Sequence, residues 1–143
     1  SPDNKTLYAL MERSSQVGAY AFDAGKLTAK AAPVSALPPG YVGVNTGSEL
    51  LISNDGRRLY FGNRTHDSIG VFDVTATGVK RIGGAHTEGS TPRSLALDPA
   101  GRFLFSMNQR ANNITAFSVD ADGGLKFTGR FVGVGTPAVM VFK

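Results

Sequence analysis

One pattern recurs three times in this chain, and it narrows the possible folds more than any other feature. Asp55-Gly56-Arg57-Arg58-Leu59-Tyr60-Phe61 aligns with Ala100-Gly101-Arg102-Phe103-Leu104-Phe105-Ser106 and with Asp3-Asn4-Lys5-Thr6-Leu7-Tyr8-Ala9. Each copy is a turn that opens into a strand-like run. A polar loop follows each: Glu12 to Gln16, Arg64 to Asp67, and Gln109 to Asn112. A second strand, alternating polar and apolar, then begins at Val17, Ile69 and Ile114. A third, weaker strand follows a glycine-containing turn, from Lys26, Gly78 and Leu125. Two repeats are also preceded by a strand, Ser48 to Ser53 and Arg93 to Asp98, which the first repeat lacks. Its counterpart lies at the other end, where Thr136-Pro137-Ala138-Val139-Met140-Val141-Phe142 matches Thr91-Pro92-Arg93-Ser94-Leu95-Ala96-Leu97.

Four antiparallel strands per repeat, at a period of ~40–50 residues, is the pattern of a β-propeller blade. The expected fold is therefore all-β. Its blades run about 1–40, 41–89 and 90–135, with 136–143 as the inner strand of a further blade. A β-sandwich also has many short strands, but it gives no reason for a repeat that keeps register. Propellers close with ~4–8 blades, and each blade buries its faces only against its neighbours. Three blades are thus expected to need a second chain, or copies of this one, to supply the rest.

Composition bounds the partners. The net charge is +4 and the pI 9.6, but no basic run exceeds the pairs Arg57-Arg58 and Lys80-Arg81. Nucleic-acid binders concentrate such charge on one face, so no nucleic-acid partner is expected. A basic rim that attracts anionic small molecules fits better. No transmembrane run or signal peptide is visible, and no membrane partner is expected. With no cysteine, a disulfide framework and a thiolate metal site are excluded, while the compartment stays open.

In an a-b-c-d meander the b–c loop and the d–a connection emerge on one rim. Glu12, Arg64, His66, Asp67, Gln109 and Asn112 should therefore share a rim, with Glu49 and Arg93 beside it at the starts of inner strands. Such convergence of polar groups at a funnel is the default ligand site of this architecture. Glu49, in an otherwise apolar strand, reads as a general base for water or as a partner for arginine. Arg64 and Arg93 suit a carboxylate or phosphate group, or else bridge blades. His66 reads as an acid–base group or oxyanion donor oriented by Asp67, or as half of a structural His–Asp contact. Asn108 and Gln109 either bind substrate hydroxyls or satisfy loop backbone. His86, in the connection from Gly83 to Gly89, is expected to face solvent. Asp120 to Gly124 has a calcium-loop flavour without the following Glu or the helices, and reads as a hairpin turn.

The segment SELLISNDGRRLYFGNRTHDSIGVF, from Ser48 to Phe72, together with TPRSLALDPAGRFLFSMNQ from Thr91 and MERSSQVGAYAFDAGKLT from Met11, resembles the lactonase family of seven-bladed propellers. That family includes propeller-type 6-phosphogluconolactonases and related carboxymuconate cyclases. The resemblance covers the whole chain, as three C-terminal blades. Leu51, Thr65 and Met11 stand where members commonly have His, Gly and Asn. The resemblance implies a cofactor-free, metal-free lactone hydrolase acting as part of a complete ring, with Glu49, Arg64, Arg93 and His66 catalytic. It implies Glu12, Asp67, Asn108 and Gln109 as substrate contacts, and an anionic sugar lactone as substrate. A carboxymuconate-type cyclase, a non-catalytic binding propeller and an inactive fragment of the enzyme are the alternatives. The sequence has no Gly-x-Ser-x-Gly elbow, no His-Glu-x-x-His and no phosphate loop.

Overall fold

The computed structural model describes residues 1–143. It contains twelve strands and no helix. They are β1 (Thr6–Met11), β2 (Gln16–Asp23), β3 (Lys26–Ala29), β4 (Val34–Ser35), β5 (Gly47–Ile52), β6 (Arg58–Asn63), β7 (Ser68–Thr75), β8 (Gly78–His86), β9 (Pro92–Leu97), β10 (Phe103–Asn108), β11 (Asn113–Val119) and β12 (Leu125–Gly133). They form three four-stranded antiparallel sheets. Two are complete meanders, β5-β6-β7-β8 and β9-β10-β11-β12. The third is β1-β2-β3, with β4 also paired to β2. This is the all-β blade architecture that the repeat predicts.

The turns that start each blade show why the repeat is read in this register. Asp55 Oδ1 accepts from the Ser53 hydroxyl at 2.6 Å and from Arg57 N at 3.0 Å, while the Ser53 hydroxyl accepts from Arg58 N at 2.9 Å. Ser1, Asp3, Lys5 and Thr6 make the same set of bonds at 2.5, 3.0 and 2.8 Å. In the third blade Asp98 alone takes both roles, accepting from Arg102 N and Phe103 N. Each turn closes through a left-handed residue, Asn4, Gly56 or Gly101, with φ of 57, 72 and 67°. Only Gly, Asn and Asp visit that region readily.

The middle blade is covered on both faces. Along β6 the side chains alternate: Leu59 and Phe61 join Val17, Ala36 and Phe72 in the core against the first blade. Tyr60 joins Ile69, Val71, Leu95, Leu104 and Phe117 in the core against the third. Successive strand residues point to opposite faces, so a strand buried on both sides is apolar throughout. Each fully buried large side chain stabilises the wedge by about 1.5–3 kcal/mol relative to exposure. Tyr60 also reaches across: its hydroxyl donates to Gly123 O at 3.3 Å, and burial pushes its pKa up to about 12. Asp120 does cap a hairpin turn, its Oδ1 accepting from Asp122 N and Gly124 N at 2.9 and 2.7 Å.

Two details differ from the sequence reading. The outer strand of the middle blade, β8, runs on from Gly78 through Gly83 to His86, so His86 closes a strand instead of lying in a connection. A bulge opposite the Val71–Phe72 step leaves Ile82 unpaired and keeps Gly83 and Gly84 in register with Val71 and Gly70. In the first blade the corresponding strand breaks into β3 and β4 around Pro33, which has no N–H to give to the ladder. Residues 134–143 lie outside every sheet. They are tied down at their start by Val134 N to Asn112 O and Thr136 N to Asn112 Oδ1, both 2.9 Å.

Candidate functional site

The b–c loops and d–a connections meet on one rim, as the meander requires. Arg64 N donates to Thr46 O at 2.8 Å, Thr87 N to Asp67 O at 2.9 Å, and Gln109 N to Thr91 O at 2.9 Å. Ser15, Asp67 and Asn112 hold the equivalent place in the three loops. All are left-handed, with φ of 54, 53 and 53°.

Both complete inner strands bulge where they enter this rim. In β5, Gly47 pairs with Asn63 and Leu50 with Phe61, so Ser48 and Glu49 break the register. In β9, Pro92 pairs with Asn108 and Ser94 with Met107, leaving Arg93 in the bulge. Bulges re-aim side chains and are frequent beside active sites. The bulge in β5 sends the half-buried Glu49 toward the next blade. There Ser94 Oγ donates to Glu49 Oε2 at 3.0 Å, while Leu50 N donates to Oε1 at 3.3 Å. Ser94 is 5% exposed and occupies in β9 the place Glu49 holds in β5. The alternation placed it on a strand face but gave no sign that it anchors a carboxylate.

Arg64 follows Asn63, the partner of Gly47, and so stands next to the bulged Ser48–Glu49 step. Its Nη1 meets Glu12 Oε1 at 3.4 Å, across the joint between first and second blades. Arg64 Nε is buried and makes no hydrogen bond within the chain. Arg93 is exposed and adjoins Ser94. Glu12 thus meets Arg64 directly, Glu49 meets Ser94 directly and Arg93 precedes Ser94 in the chain, the two groups being joined on the rim by the Gly47–Asn63 pairing of β5 with β6.

The remaining predicted residues lie elsewhere. His66 turns toward the outer strands. Its ring packs edge-on against Tyr41 at 4.7 Å and stacks on His86 of β8 at 5.5 Å. Since β5 and β8 are three strand spacings apart, about 14 Å, this packing does not bring His66 to Glu49. Asp67 does not orient His66 either. His66 Nδ1 pairs with Ser68 Oγ at 2.6 Å, whereas Asp67 Oδ1 accepts from Thr91 N, also at 2.6 Å. Burial, then His86 and Arg81, hold the His66 pKa below its ordinary value, against a smaller pull from Asp67. Asn108 is 0% exposed. Its amide donates to Thr87 O, Asn113 Oδ1 and Thr115 Oγ1, and its oxygen accepts from Ser106. Gln109 is held by its backbone N–H alone. No three His, Cys, Asp or Glu side chains are grouped so as to hold a metal ion.

Consecutive four-stranded antiparallel meanders packed face to face define blades of a β-propeller. Residues 1–142 match the family described as lactonase, 7-bladed beta-propeller, and the chain belongs to that family. It is 34% identical over 130 residues to a 6-phosphogluconolactonase of Bacillus subtilis, covering 86% of this chain and 36% of that protein. Among solved structures, a protein from Lactobacillus plantarum superposes with a TM-score of 0.91 at 32% identity, over 96% of this chain and 41% of that one. A periplasmic gluconolactonase of Pseudomonas aeruginosa superposes at 0.90 and 30% identity, over 97% of this chain and 39% of that one. The chain therefore spans well under half the length of these relatives.

Proposed function

We propose that this chain supplies three blades of a sugar-lactone hydrolase that works without a metal or cofactor, the remaining blades completing the ring. The observation that carries this reading is the bulge at Ser48–Glu49. It sets a half-buried carboxylate, anchored by Ser94, between two arginine-bearing segments on one rim. Glu49 takes a proton from water as the water oxygen attacks the lactone carbonyl carbon. The carbonyl oxygen becomes an oxyanion, stabilised by the guanidinium groups of Arg64 and Arg93. The ring C–O bond then breaks, the departing oxygen takes the proton from Glu49, and the open hydroxy acid is released. The same cations favour an anionic sugar lactone as substrate, and Glu12 fixes the reach of Arg64. His66 braces the loop that carries Arg64. Residues 136–143 act as the inner strand of a further blade once the ring is complete.

The test uses a complete propeller containing these three blades, with acid release followed from δ-gluconolactone and its 6-phosphate. Glu49→Gln, which keeps the shape and the Ser94 contact, should lower turnover by about 10²–10⁴-fold, the usual contribution of a general base. Turnover equal to the parent's would remove Glu49 from the mechanism.

A further inference from the structure

A second site lies off the channel mouth, between the outer strands of the first two blades. Arg81 projects from β8 toward the first blade, where its Nε donates to Ala36 O at 3.2 Å. Its Nη1 and Nη2 groups make no hydrogen bond in the chain. The three ion pairs of the protein, Arg57–Asp55, Arg58–Asp73 and Arg64–Glu12, all leave Arg81 out. Burial alone holds its pKa below the usual guanidinium value, with no acidic neighbour to offset the loss of solvent. It stays a cation nonetheless. A half-buried cation without a counter-charge is costly to maintain.

This guanidinium, with Ser35, supplies the polar side of a groove of about 430 Å³. Val34, Leu37, Pro38, Pro39 and Tyr41 form much of the rest. The volume falls within the range of small-molecule sites, which are largely apolar with a few convergent polar groups. The Pro38-Pro39 step stiffens this loop, because each ring fixes φ. Tyr41 is braced from behind by the His66 ring at 4.7 Å. Ala36, which receives Arg81, is itself 0% exposed and also accepts from Asn63 Nδ2 at 3.2 Å, so the guanidinium is anchored to the core. All of these residues lie on the first two blades. The groove is therefore complete within this chain, unlike the channel mouth, and it is independent of the lactone reading.

We propose that this groove binds a small aromatic carboxylate, the carboxylate bridging Nη1 and Nη2 of Arg81 and the ring lying on Tyr41 and the two prolines. Arginine presents a planar fork that matches a carboxylate in two parallel hydrogen bonds. The apolar wall favours a flat ring over a polyol.

The test is a titration of the protein with benzoate, followed by NMR at the Arg81 Nε–H and Tyr41 ring signals. Saturable shifts at both are expected. Arg81→Gln, which keeps a donor for Ala36 O, should weaken binding about tenfold or more, the equivalent of one charge-assisted pair. Arg81→Lys, which keeps the charge without the fork, should fall between. Tyr41→Ala should weaken benzoate while leaving the amide dispersion of the fold in place. Acetate serves as the arm without a ring and should bind more weakly than benzoate. Shifts that grow linearly without saturation would overturn the site. So would benzoate affinity unchanged in both Arg81 variants, or acetate binding as well as benzoate.

Discussion

At the scale of single residues, the rim separates groups that hold the blades together from groups left free for chemistry. Asn63 and Asn108 end equivalent strands, β6 and β10, and both are 0% exposed. Their amide N–H groups donate across the joint to the preceding blade, at Ala36 O and Thr87 O. In sequence, Asn108 looks like any polar loop residue free to face a sugar hydroxyl; only its match to Asn63, and to Met11 in the first blade, points to a buried role. His66 makes the same point with a measurable consequence. Its folded pKa lies below the ordinary 6.5, chiefly through burial. The folded state thus binds fewer protons than the unfolded state between those two values. The stabilisation is full above pH 6.5 and is lost as pH falls through the lowered folded pKa. Melting temperature should therefore drop on acidification from pH 7.5 toward 5.5, and His66→Gln should flatten that slope. Asp3 and Asp55 titrate below 3.8, held down chiefly by the hydroxyls of Ser1 and Ser53, and act outside this window. A parallel slope in the variant would assign the loss to other groups. The acid–base character of His66 was legible in its type. Its partner was not, because Ser68 and Asp67 are equally near in sequence and the left-handed φ of Asp67 decides between them.

At the scale of elements, strand order and face could be read from alternation and turn residues, because a period of two fixes which side chains enter a core. The bulges could not. A single extra residue at Ser48–Glu49 or Arg93 leaves the surrounding alternation intact, yet it is what turns Glu49 toward Ser94. The joint between the first two blades is equally invisible in sequence and just as exacting. Gly70 in β7 sits against it, where a Cβ would lie 2.7 Å from the carbonyl oxygen of Ala36. That carbonyl already receives Asn63 Nδ2 and Arg81 Nε, both at 3.2 Å. A backbone atom held by two donors cannot move aside as a flexible side chain would. Gly70→Ala should therefore destabilise the protein by about 1–3 kcal/mol, as overpacking of a tight core does. The check is urea denaturation with an unchanged m-value. A loss under about 0.5 kcal/mol, the range of an ordinary surface change, would mean that the joint yields.

At the scale of the molecule, the two outer blades present the faces that the middle blade buries. Phe61 and Phe72 are 0% exposed, whereas Leu7, Phe22 and Leu27 of the first blade are 42, 44 and 50% exposed. On the third blade Phe103, Phe131 and Val132 are 39, 70 and 56% exposed. The repeat made this foreseeable, since each blade covers only its neighbours. The two faces differ, so contact between copies is head-to-tail and closes only if the rotation per copy divides the circle. A ring of the family's seven blades cannot be divided into wedges of three. Copies of this chain should therefore associate without reaching a single closed state, whereas a polypeptide carrying four further blades should form a defined one-to-one complex. Light scattering on the 15.0 kDa chain should show a mass that climbs with concentration, together with binding of a hydrophobic dye. Adding the four-bladed partner should collapse the distribution to one species and release the dye. A sharp 15.0 kDa monomer that binds no dye at any concentration would mean that the exposed faces are covered by rearrangement within the chain, and the blade argument would fail.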